Sequence, residues 1–159
     1  MFANLMMFNK GLPQMPLNMV NICGTGFMIG ERAKYTANTG QVSISTANTN
    51  LDGTGTLGTV ITAPKTAFSK GTLIKTITIK SQVNTTDGMV RLFVYDGTNT
   101  RLLLEVPVKA VTKSASADSF HKVINLNYYL EENCSIKAST EKAETFSIIA
   151  EGLDITYPA

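Results

Sequence analysis

The stretch that decides the fold is MVRLFVYDGTNTRLLLEVPV, residues 89–108. Two runs rich in β-branched, leucine and aromatic residues flank the turn sequence DGTNT, and an Asp-Gly turn between alternating apolar runs predicts a β-hairpin. Pro107 has no backbone N–H to donate, so we expect the second strand at a sheet edge. Alternation puts Val90, Leu92 and Val94 on one face of the first strand, and Leu102, Leu104, Val106 and Val108 on one face of the second.

The same strand pattern recurs on both sides of this hairpin. Leu73, Ile77 and Ile79 recur at odd positions, so we expect them to face a core. The same holds at even positions for Phe120, Ile124, Leu126, Tyr128 and Leu130. A change of phase after Ala150 predicts a bulge at residues 151–152. Seven or eight short strands fit between residues 52 and 159, which predicts an all-β, two-sheet antiparallel sandwich. A jelly roll is preferred over an immunoglobulin-like fold, because the chain has no Trp and lacks the paired-cysteine signature.

Three segments differ in composition. Residues 52–159 form the predicted sandwich domain, and residues 29–51 are a polar linker or a first strand. Residues 1–28 hold six of the seven methionines and one charge, Lys10. Pro13 and Pro16 preclude a regular helix there, which predicts an extended apolar arm.

The arm has two alternative locations. It packs on its own domain, or it docks into a neighbouring subunit. Methionine favours the second alternative, because its flexible thioether fills irregular apolar grooves on partners. The predicted partner-binding residues of the arm are Phe2, Leu5, Met6, Met7, Phe8, Leu12, Met15, Leu17 and Met19.

Length and charge exclude several classes of protein. The 159 residues fit one domain with an arm, and 14 basic against 12 acidic residues give a net charge of +2. That balance supplies no field for nucleic acid, and no apolar run approaches the roughly 20 residues of a membrane helix. Secretion is not expected, because no basic residue precedes the first apolar stretch. Cys23 and Cys134 are expected to be reduced thiols, with a bridge between them as the alternative.

Residues suited to catalysis are scarce. The single histidine, His121, lies in an alternating strand opposite the apolar positions, so we expect it to face solvent. No G-x-S-x-G or calcium-loop motif is present, and the glycines at residues 24–30 lack the strand-to-helix setting and the Lys of a phosphate loop. The sequence therefore predicts no enzyme, no catalytic residues, no metal, no cofactor and no small-molecule substrate.

One surface could recognise a ligand. Arg91 and Arg101 are expected to approach each other across the hairpin and to form a ligand face with Tyr95, for a sugar or a protein. The alternative is an ordinary exposed polar strand face. Tyr95, Tyr128 and Tyr129 are the tyrosines available for stacking on a glycan.

Residues 88–108, with KAST at residues 137–140 and AETF at residues 143–146, resemble small β-sandwich virion structural proteins of tailed bacteriophages. The resemblance covers roughly residues 53–152 and carries over no functional residues. It implies a virion component, assembled in the host cytoplasm, of the capsid auxiliary or decoration (cement) type. We expect it to bind the capsid through its arm and to stabilise the particle. Its partners would be capsid or other virion subunits, with self-association as a further option. The alternatives are a head-fibre protein, a tail protein or a host-glycan or receptor-binding module.

Overall fold

The computed structural model describes residues 33–157, and this part of the chain is all-β. The predicted arm and its nine partner-binding residues lie outside the described residues. Eight strands follow one another: β1 (Lys34–Ile44), β2 (Gly58–Thr62), β3 (Ser69–Ser81), β4 (Gly88–Tyr95), β5 (Thr100–Val108), β6 (His121–Leu130), β7 (Ser135–Thr140) and β8 (Phe146–Thr156).

The strands form two antiparallel sheets of four. The first sheet has the order β1-β8-β3-β6 and the second has the order β2-β7-β4-β5. The pairs are nested: β4 pairs with β5, β3 with β6, β2 with β7, and β1 with β8. A long hairpin rolled into two sheets gives this order, which is that of a jelly roll. The predicted two-sheet sandwich is confirmed.

Strand β1 lies within residues 29–51, the segment for which the sequence allowed either a linker or a first strand. It pairs residue by residue with β8, from Lys34 opposite Thr156 to Ile44 opposite Phe146. Residues 45–57 then connect the first sheet to the second, and we call this connection the cover loop. Seven strands follow it.

The core lies between the two sheets and is rich in β-branched residues, which pack well on pleated surfaces. Phe120 and Phe146 meet edge to face with ring centroids 6.3 Å apart. The buried core residues include Ile74, Ile77, Ile79, Val90, Leu92, Val106, Leu130, Ile136, Ile148 and Ala150.

Gly40 marks the place where the two sheets approach most closely through β1 and β2. A Cβ atom at this position would overlap the carbonyl oxygen of Val60 and lie 2.6 Å from the Cβ of Ile61. The glycine is therefore required by contact with backbone rather than by a turn.

Two bulges change the predicted faces. Leu92 pairs with Leu104 and Phe93 with Leu102, so Leu103 is the extra residue of β5. Opposed residues share a face. Leu102 therefore lies with Phe93 on the outer face, and its predicted place beside Leu104 and Val106 is wrong.

The second bulge lies in β3 and not in β8. The pairing of β3 with β8 shifts between Ile74 and Thr76, which leaves Lys75 as the extra residue of β3. Against β6 the same position places two residues, Leu126 and Asn127, opposite Lys75. Ile74 is consequently buried, and Leu73 is only partly buried. Strand β8 pairs with β1 without interruption through Gly152, so the bulge predicted at residues 151–152 is wrong.

Candidate functional site

The predicted ligand face does not form. Arg91 pairs with Glu105 across the hairpin, and Arg101 pairs with Val94. Because residues alternate between faces, Arg91 and Tyr95 belong to the outer face, whereas Arg101 belongs to the face of Val94. The expectation that Arg91 and Arg101 lie together is therefore wrong, and the four-residue turn at residues 96–99 with the bulge at Leu103 explains the changed register.

Arg91 holds three parts of the chain together. Its side chain is 9% exposed, and its Nε lies 2.9 Å from Oε1 of Glu105. Its Nη2 lies 3.8 Å from Oε2 of Glu141, and its Nη1 donates to the carbonyl oxygen of Asn48 at 3.4 Å. A guanidinium has five donors in a fixed planar arrangement, which suits such a junction. Arg91 is therefore a structural cation, not a free recognition group.

Asn48 organises the cover loop. Its backbone N–H donates to the carbonyl oxygen of Thr140 at 2.8 Å. Its side-chain amide donates to the carbonyl oxygens of Thr54 and Thr56 at 2.9 and 3.1 Å, and its Oδ1 accepts from the N–H of Asn50 at 3.0 Å. These bonds fold the loop on itself and join it to β7.

The cover loop crosses the outer face of the second sheet. The carbonyl oxygen of Asn48 accepts a hydrogen bond from Arg91. Further along the loop, a Cβ at Gly53 would overlap the side chain of Thr100, which pairs with Tyr95. Phe93 lies between Arg91 and Tyr95 on this face and is fully buried. The loop's path across this face accounts for the burial of an aromatic residue outside the inter-sheet core.

Tyr95 and Arg101 are held by neighbours at the turn of the hairpin. The hydroxyl of Tyr95 donates to the carbonyl oxygen of Gly97 at 2.7 Å, and Nζ of Lys137 lies 3.8 Å from the centroid of the Tyr95 ring. Arg101 is 77% exposed and lies 3.9 Å from a carboxylate oxygen of Asp96. Hydrogen bonds from the backbone of Asn99 and then Thr98 lower the pKa of Asp96.

The three tyrosines considered for a glycan do not share a surface. Tyr95 lies on the outer face of the second sheet. Tyr128 pairs with buried Ile74 and packs against the core, whereas Tyr129 pairs with Leu73 on the outer face of the first sheet. Burial, followed by the negative charges of Glu131 and Glu132, raises the pKa of Tyr129. No common stacking platform arises from these positions.

Strands β5 and β6 run along one side of the sandwich. Each is the last strand of its sheet, so among residues 33–157 each pairs on one side only. We call the gap between these strands the seam. Apolar side chains that face inward along it are only partly buried: Leu103, Leu104, Ile124, Leu126 and Tyr128.

A cavity of about 420 Å³ opens at one end of the seam. Its apolar wall comes from both sheets, and Asp96, Arg101 and Glu131 contribute charge. The apolar and thiol residues that line it are Val94, Leu102, Leu103, Leu130 and Cys134, together with the rings of Tyr128 and Tyr129. Its volume falls within the range of roughly 300–1,000 Å³ that ligand sites occupy.

Cys134 lies at this cavity as a free, buried thiol. Burial is the main cause that raises its pKa, and the charges of Glu131 and Asp96 add to the effect. The thiol is therefore held in its protonated, unreactive form. Cys23 lies outside the described residues, so the state of Cys23 and its bridge to Cys134 stay open predictions.

The sequence identified the apolar residues of the seam but did not predict that two edge strands lie side by side there. Alternation correctly assigned the even positions of β6 to the inward face. It carried no signal that β6 ends its sheet on the side where β5 also ends its sheet, because strand order is a property of tertiary pairing. The Asn-rich and Gly-rich segment 48–56 indicated turns, but gave no sign that Asn48 would meet Arg91.

Within residues 33–157, no cluster of three or more His, Cys, Asp or Glu side chains is arranged to hold a metal ion. The same residues include no helix with the length and apolar character that a membrane span needs.

Solved structures of phage capsids include chains that are similar to this one. One similar chain belongs to the acidic stable capsid structure of Helicobacter pylori bacteriophage KHP30, with a TM-score of 0.51 and 12% identity over 80% of this chain and 99% of that chain. A chain of the cyanophage Pam1 capsid gives a TM-score of 0.39 and 16% identity over 92% of this chain and 100% of that chain. A pentameric capsid protein from metagenomic phage sequences gives a TM-score of 0.38 and 15% identity over 75% of this chain and 61% of that chain.

The first similarity extends over nearly the whole of the KHP30 chain, and at its identity it establishes a common fold. Neither known protein families nor curated protein sequences gave a match.

Proposed function

We propose that this protein is a structural component of a bacteriophage particle, of the capsid auxiliary or decoration type. In this role it fastens to the shell through residues 1–28 and stabilises the assembled particle. The observation that carries the proposal is the similarity of fold to a chain in the KHP30 capsid structure, which covers 80% of this chain and 99% of that chain.

The chemistry of the sandwich supports a structural role. Among residues 33–157 the one buried cation is Arg91, which is committed to holding the cover loop, and the buried thiol of Cys134 is kept protonated. The two sheets enclose a cluster of buried apolar residues that holds the sandwich together. A net charge of +2 gives the protein little long-range electrostatic attraction to a partner. The arm, with six methionines and one charge, offers an apolar contact surface instead.

Co-sedimentation with particles tests the proposal. Particles of the phage that encodes the protein, prepared without it, are mixed with the full chain or with a chain lacking residues 2–28, and pelleted through a sucrose cushion. We expect the full chain to pellet and the shortened chain to stay in the supernatant while its circular dichroism spectrum remains that of a folded β protein. Equal pelleting of both chains would contradict fastening through the arm, and failure of both would contradict a capsid role.

A further inference from the structure

We infer that the seam between β5 and β6 is the acceptor for the apolar arm of a second copy of this chain. The inference rests on the proposed function, in which the arm docks on a neighbouring subunit, and it specifies that subunit. On the particle, each copy would therefore be linked to a neighbour, with its arm bound in the seam of that neighbour.

The backbone of the seam is suited to receive an extended segment. Strand β5 pairs only with β4, and strand β6 pairs only with β3, among residues 33–157. An edge strand presents N–H and C=O groups that can pair with another chain. An incoming segment would therefore find hydrogen-bonding groups on either wall, as in recognition by strand addition.

The side chains of the seam are apolar and incompletely covered. On the opposite side of the sandwich, β1 and β2 approach so closely that only a glycine fits at residue 40. Along the seam the corresponding inward residues, such as Leu103 and Tyr128, stay partly exposed, and a cavity of about 420 Å³ separates them. Filling that space with apolar side chains would complete the packing that the other side already has.

The arm has the chemistry that the seam requires. Its run Leu5-Met6-Met7-Phe8 is uncharged and flexible in its side chains, and methionine sulfur contacts aromatic rings such as Tyr128 favourably. Lys10 follows this run as the only charge of residues 1–28. The carboxylates of Asp96 and Glu131 at the cavity offer it a partner of opposite sign.

The length of chain before β1 allows exchange between copies. Lys34 opens β1, and the 33 residues before it can span up to roughly 110 Å when extended, which is enough to reach a neighbouring subunit. Docking in another copy provides the link between subunits that a cement protein needs.

Photo-cross-linking of the full chain tests this directly. Tyr128→p-benzoylphenylalanine places a photoreactive group in the seam with a small change in shape. Val123→p-benzoylphenylalanine is the control, because Val123 belongs to the same strand, lies 49% exposed on the outer face of the sheet and is not among the residues that line the cavity. Chains with natural isotopes and chains labelled with ¹⁵N are unfolded together, refolded, irradiated and digested with trypsin, and the linked peptides are identified by mass spectrometry.

We expect the group at residue 128 to link to arm peptides 1–10 or 11–32 in isotopically mixed pairs, and the group at residue 123 to give no such pairs. Pairs of a single isotope only would show that each arm docks on its own chain. Isotopically mixed links to β5 or β6 peptides would show edge-to-edge pairing of the sandwiches, and no link to an arm peptide would show a seam without the arm. Each of these three results would overturn the inference.

The two proposals fail separately. If the chain lacking residues 2–28 does not pellet with particles but the cross-links stay within one chain, then the arm fastens the protein elsewhere and only the seam assignment is wrong. If mixed cross-links form but the full chain never pellets with particles, the arm exchange is real and the capsid role is wrong.

Discussion

Arg91 lies directly opposite Glu105 in the β4–β5 hairpin, with its Nε 2.9 Å from Oε1 of the carboxylate. The same guanidinium donates to the carbonyl oxygen of Asn48, which belongs to the cover loop. One side chain thus joins the hairpin to a loop 43 residues earlier in the chain. This relationship replaces the recognition face that the sequence predicted and makes Arg91 a determinant of stability.

Arg91→Met should lower the free energy of unfolding by about 1.5–3 kcal/mol, the range for losing a hydrogen bond to a charged group. The free energy of unfolding of Arg91→Lys should lie between those of the natural protein and Arg91→Met, because an ammonium cannot reproduce the planar arrangement of donors. Urea denaturation measures both. Arg101→Met is the matched control and should change stability by less than about 0.5 kcal/mol, since its side chain is 77% exposed. Equal losses at the two arginines would contradict the assignment.

Asn48→Ala should loosen the cover loop. The change removes two bonds donated by the side-chain amide and one accepted by its oxygen, and we expect the amide of Asn50 to exchange its hydrogen faster. Hydrogen exchange measured by mass spectrometry over residues 45–57 would show the effect. Asn50→Ala is the control, because its side chain makes one exposed bond to Thr54. Unchanged exchange in the Asn48 variant would refute the role of this residue.

Gly40→Ala should destabilise the sandwich by about 1–3 kcal/mol, as overpacking does. The added Cβ would meet the backbone carbonyl of Val60, which cannot move away as a flexible side chain can. Gly88→Ala serves for comparison, because its Cβ would lie 3.1 Å from the Cγ atom of the Lys142 side chain. Thermal unfolding of the two variants should give a clearly lower midpoint for Gly40→Ala alone, and similar midpoints would count against close sheet contact there.

Cys134 should react slowly with iodoacetamide in a Cys23→Ser background, where it is the remaining thiol. Only the thiolate reacts, and burial raises the pKa of this group. Because the folded state holds the proton more tightly, the stability that this group contributes is present below the unfolded thiol pKa of about 8.5 and is lost as the pH rises past the folded value. Alkylation at pH 8.5 as fast as in urea would contradict a buried, protonated thiol.

Much of the fold could be predicted because its signals are local. The Asp-Gly turn at residues 96–97 and the alternation from Phe120 to Leu130 identified strands that the structure contains, and the absence of immunoglobulin signatures favoured the jelly roll. The edge position inferred from Pro107 also holds, since β5 ends the second sheet.

The errors arose where one residue is added to a ladder. Residues 102–104 are all leucine, so nothing in the sequence distinguishes Leu103 as the bulged one, and the face of Leu102 was assigned wrongly as a result. The prediction of Arg91 as part of a ligand face was wrong for a related reason. Whether Arg91 is exposed depends on which distant loop covers it, and the composition of residues 45–57 indicates turns without indicating where the loop lies.

A cryo-electron microscopy map of the particle that carries this protein tests the central claim most directly. The account predicts an eight-stranded jelly roll on the shell, with residues 1–28 running from one subunit into a neighbouring one. A shell without this density, or a jelly roll whose opening residues lie wholly on their own subunit, would contradict it.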